Sequence, residues 1–207
     1  PFLIVFARYL SQLILLLIIF NKQFKTHLKS NHKLLQILRG ALLMITTCFM
    51  FTGLAYLQFA ENISIYMIGP VITTILAILI LKEKISFTQI LVVIIGLIGA
   101  LIIASPNKGA FNYAVIFPFL AALCFAFFTI STKFLNTSDS NQTTLLFTAI
   151  TGTILSLPFI IYFWKWPNLY DTLLMFCLGF LATAGHFLFI EALKVINASF
   201  AAPFVYL

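Results

Sequence analysis

Long apolar stretches separated by short polar links fill almost the whole chain. The first charge-free stretch covers residues 9–20, and the pattern recurs to the last residue. A helix needs roughly 20 apolar residues to cross the hydrocarbon core of a bilayer. Only helices and closed barrels satisfy every backbone hydrogen bond inside lipid. The sequence therefore predicts a membrane protein that crosses the bilayer many times.

Composition excludes a soluble domain and argues against a barrel. The chain is 62% hydrophobic and only 8% charged, whereas about a quarter of the residues in soluble domains are charged. Barrel strands alternate apolar and polar residues, but residues 72–81 are almost uniformly apolar. The predicted fold class is all-α. The net charge of +7 does not indicate nucleic-acid binding, because the basic residues are thinly spread beside apolar spans.

We predict eight membrane crossings joined by short links. Helices that follow one another in sequence are therefore expected to be antiparallel neighbours in space. The last crossing is incomplete at residue 207. The crossings are placed at about residues 1–20, 40–58, 63–81, 88–105, 113–132, 143–163, 171–193 and 198–207.

Basic residues in the links predict the orientation. The longest link, residues 21–39, is rich in lysine. With this link in the cytoplasm, nine basic residues fall inside and only Lys108 and Lys165 fall outside, as the positive-inside rule requires. A lipid-binding or regulatory patch is a second interpretation of the basic link. Aromatic residues that mark membrane interfaces then lie on the outer side, namely Trp164, Trp166 and Tyr170.

The sequence contains no motif for a cofactor, a metal or catalysis. Cys48, Cys124 and Cys177 each fall inside an apolar span, so we expect small core residues and no disulfide. A glycine-rich phosphate loop is absent, which argues against an ATP-driven pump. Five acidic residues leave little for hydrolytic chemistry. We therefore expect no cofactor, no metal and no enzymatic activity.

The two halves of the chain resemble one another weakly. A polar link at residues 59–62 precedes a span that contains Pro70, and a polar link at residues 191–197 precedes a span that contains Pro203. With an odd number of crossings in each unit, the second unit is inverted relative to the first, an arrangement common in secondary transporters.

Four segments carry a family resemblance through their order and spacing. They are residues 54–70 (LAYLQFAENISIYMIGP), 82–86 (KEKIS), 164–169 (WKWPNL) and 191–207 (EALKVINASFAAPFVYL). They resemble successive joints between helices of the EamA-type transporters in the drug/metabolite transporter superfamily. Arg8 also matches the basic residue often seen in the second helix of that family. The resemblance covers essentially all of the chain.

The resemblance implies ten helices in two inverted five-helix repeats, of which this chain holds the second to the ninth. By this resemblance, residues 1–105 are the first repeat without its first helix, and residues 113–207 are the second repeat, incomplete at its C-terminus. It implies alternating-access transport of a small organic metabolite across the bacterial inner membrane, driven by a proton gradient or by exchange. Similar members from low-GC intracellular bacteria take up S-adenosylmethionine, so this is the specific substrate expected. Membrane lipids are the other expected partners, and a homodimer is left open. Two alternatives are an inactive truncated product and a membrane-embedded enzyme.

Ionisable residues inside lipid are costly and are therefore functional candidates. Arg8 lies within the first span, where it pairs with an anionic substrate group or reaches out to the interface. His186 lies deep in the seventh span on a stripe of small and polar residues, which suits a cavity wall or an interhelical hydrogen bond. Glu191 is the candidate for a coupling proton, with a pairing to Lys194 as the favoured alternative. His186 and Glu191 point about 140° apart on the helix and are not expected to share one site.

The remaining candidates combine polarity with a place in a span. A tyrosine both stacks and forms hydrogen bonds, and a proline frees a carbonyl that a substrate can use, although a packing kink explains a proline equally well. Pairs of small residues such as Gly152 and Ser156 allow helices to approach closely. The further substrate-binding candidates are Tyr56, Tyr66, Pro70, Thr73, Pro203 and Tyr206.

Overall fold

The computed structural model of the chain describes residues 2–104, 113–163 and 166–206. Every regular element in these ranges is a helix, so the all-α prediction is confirmed there. Short 3-10 helices cover Asn21–Gln23, Tyr113–Val115 and Ala202–Tyr206. The α-helices are α1 (Phe2–Phe20), α2 (Phe24–His27), α3 (Lys33–Tyr56), α4 (Phe59–Tyr66), α5 (Gly69–Leu81), α6 (Phe87–Ala104), α7 (Ile116–Leu135), α8 (Asn141–Phe163), α9 (Leu169–Val195) and α10 (Ala198–Ala201).

Six segments of the described chain are long and apolar enough to cross a membrane. They are α1, α3, α4 together with α5, α7 with the turn before it, α8 and α9. The predicted fourth crossing corresponds to α6, a shorter apolar helix, and the predicted eighth begins at α10. The total of eight crossings stays a prediction.

The third predicted crossing divides into two helices within one apolar span of membrane length. α4 ends at Tyr66, and α5 begins at Gly69 with Pro70 in its first turn. Because Pro70 has no N–H, it cannot donate to the carbonyl of Tyr66 four residues earlier. Met67 and Ile68 keep right-handed helical backbone angles, so the helix is interrupted only locally, at the place where a kink was expected. A break with extended backbone, at Ile196 and Asn197, separates α9 from α10.

The interior of the bundle combines apolar clusters with many buried polar side chains, and its outside is apolar. α3 packs chiefly against α7 and α8, α1 against α8 and α9, and α5 against α7. The surface of α6 exposes large aliphatic side chains, as a face toward lipid requires. The buried polar residues of α8 show the contrast: they are Asn141, Thr143, Thr144, Thr148, Thr151, Thr153 and Ser156.

Four links meet at one end of the bundle, which we call the lysine-rich end (residues 21–32, 82–86, 136–140 and 196–197). The Glu83 carboxylate accepts the N–H groups of Ala198 and Ser199, both at 3.0 Å. Nζ of Lys133 donates to the carbonyls of Leu193 and Ile196 at 2.8 and 2.7 Å. These links therefore share one side, as the charge pattern predicts. Lys108, Trp164 and Lys165 lie outside the described residues, while Trp166 and Tyr170 are exposed.

The structure corrects the placement of Arg39. The link was predicted to extend through residue 39, but α3 begins at Lys33 and places Arg39 well inside the helix, with 1% of its surface exposed. The prediction was wrong because it treated the charge as a mark of solvent. Hydroxyl groups of the neighbouring helices replace water around this guanidinium. Arg39 therefore does not count among the basic residues outside the membrane.

Replacing Gly152 with alanine is expected to destabilise the protein. An added Cβ would overlap the ring of Tyr9, which is fully buried and bonded through its hydroxyl to Thr47 at 3.2 Å. Overpacking of this kind costs about 1–3 kcal/mol, which thermal unfolding of the purified protein measures. Gly99→Ala is the matched control, because its Cβ meets nothing within 4 Å. Equal losses in the two variants would contradict this packing.

Asp139 ties two links together at the lysine-rich end, and this tie is expected to depend on pH. Partial burial acts to raise the pKa of Asp139, but hydrogen bonds from the Ser30 hydroxyl, the Gln36 amide and the Asn31 N–H outweigh it and hold the pKa below its ordinary value. A carboxyl group whose pKa is lowered by folding stabilises the folded state when the pH is above the pKa of the unfolded chain. That stabilisation is lost as the pH falls through the lowered pKa of the folded state.

The test compares the melting temperatures of the wild type and Asp139→Asn across pH. We expect the wild type to be more stable by a constant amount above about pH 5 and to lose this advantage on further acidification. A difference that stays constant into strong acid, or no difference at neutral pH, would show that the carboxylate does not hold the links.

Candidate functional site

Two predicted site residues, Arg8 and His186, meet inside the bundle. One terminal nitrogen of Arg8 donates to Oγ1 of Thr47 at 2.6 Å, and the other lies 2.8 Å from Nε2 of His186. An arginine nitrogen only donates, so Nε2 accepts and the ring carries its proton on Nδ1. Arg8 therefore points to α3 and α9 rather than to the interface. It lies about 18 Å along α1 from the lysine-rich end.

Small residues allow α1 to come close enough to α9 for this contact. Gly179 lies seven residues before His186, on the same face of α9, and an added Cβ there would overlap the Ser11 hydroxyl. Thr183, between them, is buried and bonds back to the Gly179 carbonyl at 2.7 Å. The small-and-polar stripe of α9 thus faces α1, and the interhelical hydrogen bond that the stripe predicted is present.

Arg39 is a second guanidinium inside the bundle, and sequence reasoning did not select it. Its Nε donates to Oγ1 of Thr132 at 2.7 Å, and a terminal nitrogen donates to Oγ1 of Thr148 at 2.5 Å and to the carbonyl of Thr144 at 3.3 Å. The group therefore joins α3 to α7 and α8. Helical spacing offered a signal, because Arg39 shares a stripe with the buried Leu43.

Aromatic rings connect the two guanidinium groups. The Phe128 ring centroid lies 4.4 Å from the guanidinium carbon of Arg39 and 6.0 Å from the centroid of His186. Phe125 and Phe189 lie 5.5 and 6.1 Å from Phe128. The three phenylalanines form what we call the aromatic cluster. The sequence did not single them out, because they are three of 24 phenylalanines.

A narrow cleft beside the aromatic cluster gathers three further predicted residues. Tyr66 packs against Phe125 with 5.9 Å between ring centroids. Pro70 places the joint between α4 and α5 next to the cleft. The cleft is lined by Tyr66, Gly69, Pro70, Thr73, Phe125, Thr129, Phe189, Ala201, Ala202 and Val205.

The other candidates lie elsewhere. Tyr56 is 67% exposed at the end of α3 and stacks on Phe117. Pro203 and Tyr206 line a groove beside α6, on the face of their 3-10 helix opposite to the cleft. Glu191 accepts a hydrogen bond from Asn141 and lies 3.7 Å from Nζ of Lys194, so the pairing favoured from the sequence is present.

The sequence profile of the EamA-like transporter family matches residues 1–105 and 112–207. The chain belongs to the EamA-like transporter family. A family member from Rickettsia prowazekii, an S-adenosylmethionine uptake transporter, is 29% identical over 100% of this chain and 70% of its own length. Its counterpart in Rickettsia bellii is 30% identical over 100% and 71%. A riboflavin transporter of Vibrio cholerae is 30% identical over 70% of this chain and 49% of its own length.

A solved crystal structure shares the fold. It superposes with a TM-score of 0.79, is 15% identical in sequence, and is matched over 100% of this chain and 76% of the other. Membership of a bacterial EamA family and six membrane-length apolar segments make this chain a multi-pass protein of the bacterial inner membrane. The named relatives transport small molecules, which indicates a membrane transporter.

Replacing Phe128 with leucine is expected to weaken the site and the bundle together. The ring is fully buried between Arg39 and His186, and its loss removes a desolvated cation–π contact worth about 2 kcal/mol. Phe127→Leu is the matched control, because that neighbouring ring is 39% exposed. Thermal unfolding should separate the variants, with only Phe128→Leu clearly destabilised. Equal stability would contradict the contact between Phe128 and Arg39.

Proposed function

We propose that this protein is a secondary active transporter that moves S-adenosylmethionine across the inner membrane by alternating access. The observation that carries the proposal is the Arg8–His186 pair beside the aromatic cluster, inside the bundle and joined by a hydrogen bond between two membrane helices. The S-adenosylmethionine uptake transporters that match the full chain support the choice of substrate.

The site offers a partner for each part of that substrate. Tyr66 and the aromatic cluster offer faces for the adenine ring and for the sulfonium cation. Pro70 leaves the Tyr66 carbonyl as an acceptor, and Thr73 adds a hydroxyl. Arg8 and His186 offer hydrogen-bonding groups for the polar part of the substrate. We assign substrate contact to these five predicted residues and not to Tyr56, Pro203 or Tyr206, which the fold places apart.

The division into two units supplies the moving parts. Arg8 belongs to the first family-matched segment and His186 to the second, so a substrate between them contacts both. We propose that the units 1–105 and 113–207 are inverted repeats that rock against each other. Opening the lysine-rich end then requires the ties of Glu83 and Asp139, which join one unit to the other, to release. Glu191 stays the candidate for a coupling proton, since its partners also lie at that end.

Uptake of radiolabelled S-adenosylmethionine by bacterial cells that express the protein tests the proposal. We expect saturable accumulation that excess unlabelled S-adenosylmethionine abolishes and excess riboflavin does not. Phe189→Leu should raise KM roughly fivefold or more, because stacking on a base is worth about 1–3 kcal/mol. Phe187→Leu, a ring that is 39% exposed on the same helix, should leave KM unchanged.

Three results would contradict different parts of the proposal. Accumulation of S-adenosylmethionine equal to that of cells with an empty vector would reject this substrate. Accumulation of riboflavin instead would show that the protein is a transporter but that the proposed substrate is wrong. Equal effects of Phe189→Leu and Phe187→Leu would remove the aromatic cluster from the path.

A further inference from the structure

Two guanidinium groups lie inside the bundle, and no side-chain carboxylate neutralises either of them. All five acidic residues fall in the described ranges, where the one side-chain ion pair joins Glu191 to Lys194. The other four acidic residues lie away from the two arginines. Asp139 and Glu83 bind the links at the lysine-rich end. Asp171 lies in the first turn of α9, and Glu61 lies in the first turn of α4.

An unneutralised cation inside a membrane protein is expensive. Charges in such surroundings are normally paired, because lipid and protein replace the water that solvates them. Hydroxyl and carbonyl groups satisfy some donors of Arg8 and Arg39, but they carry no negative charge. The interior around both groups is therefore positive and favours an anion that the chain itself does not supply.

The two arginines differ in their freedom to bind a ligand. Arg39 is 1% exposed and donates to three oxygens of α7 and α8, so it is fixed in place. Arg8 is only partly buried and uses two of its five N–H donors in the contacts to Thr47 and His186. Arg8 is therefore the group that can accept a new partner, and Arg39 strengthens the positive potential around it.

His186 holds the position that an anionic oxygen would take. Its Nε2 is a neutral acceptor 2.8 Å from Arg8. A carboxylate is a stronger acceptor for a guanidinium, because the bond is charge-assisted and engages two N–H groups at once. A ligand carboxylate can therefore replace the imidazole, while Thr47 keeps the other side of Arg8 in place.

We propose that Arg8 binds the carboxylate of the transported molecule, so that the site selects metabolites that join a free carboxylate to an aromatic ring system. This inference rests on the proposed function and narrows it. S-adenosylmethionine has such a carboxylate, whereas riboflavin has none. The chemistry of the site thus favours S-adenosylmethionine, the substrate of the Rickettsia relatives, over riboflavin, the substrate of the Vibrio cholerae relative.

Competition by decarboxylated S-adenosylmethionine tests the proposal, because this analogue keeps the ring, the sulfonium and the amine. In the wild type we expect it to inhibit uptake of radiolabelled S-adenosylmethionine roughly tenfold or more weakly than the unlabelled substrate does, as loss of a charge-assisted bond requires. In Arg8→Gln this preference should disappear. Lys194→Gln is the control, because that partly exposed cation lies at the lysine-rich end and should leave the preference unchanged.

The measured quantity is the ratio of the inhibition by unlabelled S-adenosylmethionine to the inhibition by its decarboxylated analogue. This ratio separates binding from folding, since a variant that merely inserts poorly lowers the uptake without changing the ratio. Equal inhibition by the two compounds, or a ratio that survives in Arg8→Gln, would overturn the inference while leaving transport intact. Uptake of riboflavin alone would overturn it as well.

A complete lack of S-adenosylmethionine uptake would count against the proposed function, and thermal unfolding of the purified protein then decides the inference. Stabilisation by S-adenosylmethionine but not by its decarboxylated analogue, lost in Arg8→Gln, would support carboxylate binding. Equal shifts with the two compounds, or none with either, would reject it.

Discussion

The solvation of two guanidinium groups inside the bundle is the constraint on which the rest of this structure depends. A charged group inside a bundle that faces lipid must find polar partners within the protein. The threonines of α3, α7 and α8 provide them, with Thr47 on Arg8 and with Thr132 and Thr148 on Arg39. Close helix contacts at Gly152 and Gly179 bring these partners within reach. The polar interior and the tight packing therefore have one common cause.

The placement of the carboxylates completes this electrostatic arrangement. Glu83, Asp139 and Glu191 all act at the lysine-rich end, where they hold helix ends and links together. None of them reaches the guanidinium groups inside the bundle. One end of the bundle is thus closed by polar ties, while the interior stays positive. A transporter that alternates access needs both features, since the ties can release and the positive interior can bind the carboxylate of the cargo.

The sequence predicted the helices well because their signal is strong. Apart from the start of α3, apolar stretches bounded by short links locate the ends of the long helices to within a few residues, and basic residues identify the links that share an end. The boundary at Arg39 was missed because hydropathy treats a charge as a mark of solvent, whereas here hydroxyls from two other helices solvate it. Pro70 marked the joint between α4 and α5, but local rules did not reveal where each of the two helices ends.

The site was predictable only in part, for a related reason. Arg8 and His186 stood out because ionisable residues are rare in apolar spans. Nothing local to either residue shows that the two side chains, 178 positions apart in the sequence, lie 2.8 Å from each other in the fold. The aromatic cluster was hidden among 24 phenylalanines, which only packing distinguishes. Tyr56 and Tyr206 looked equally suitable from composition, and the fold places them away from the cleft.

The most direct measurement is an electron cryo-microscopy structure of the protein with S-adenosylmethionine bound in a lipid nanodisc. The account predicts the ligand between α1 and α9, its carboxylate on the Arg8 guanidinium in place of the His186 ring and its adenine against the aromatic cluster. A bound ligand elsewhere, with the contact between Arg8 and His186 unbroken, would contradict it.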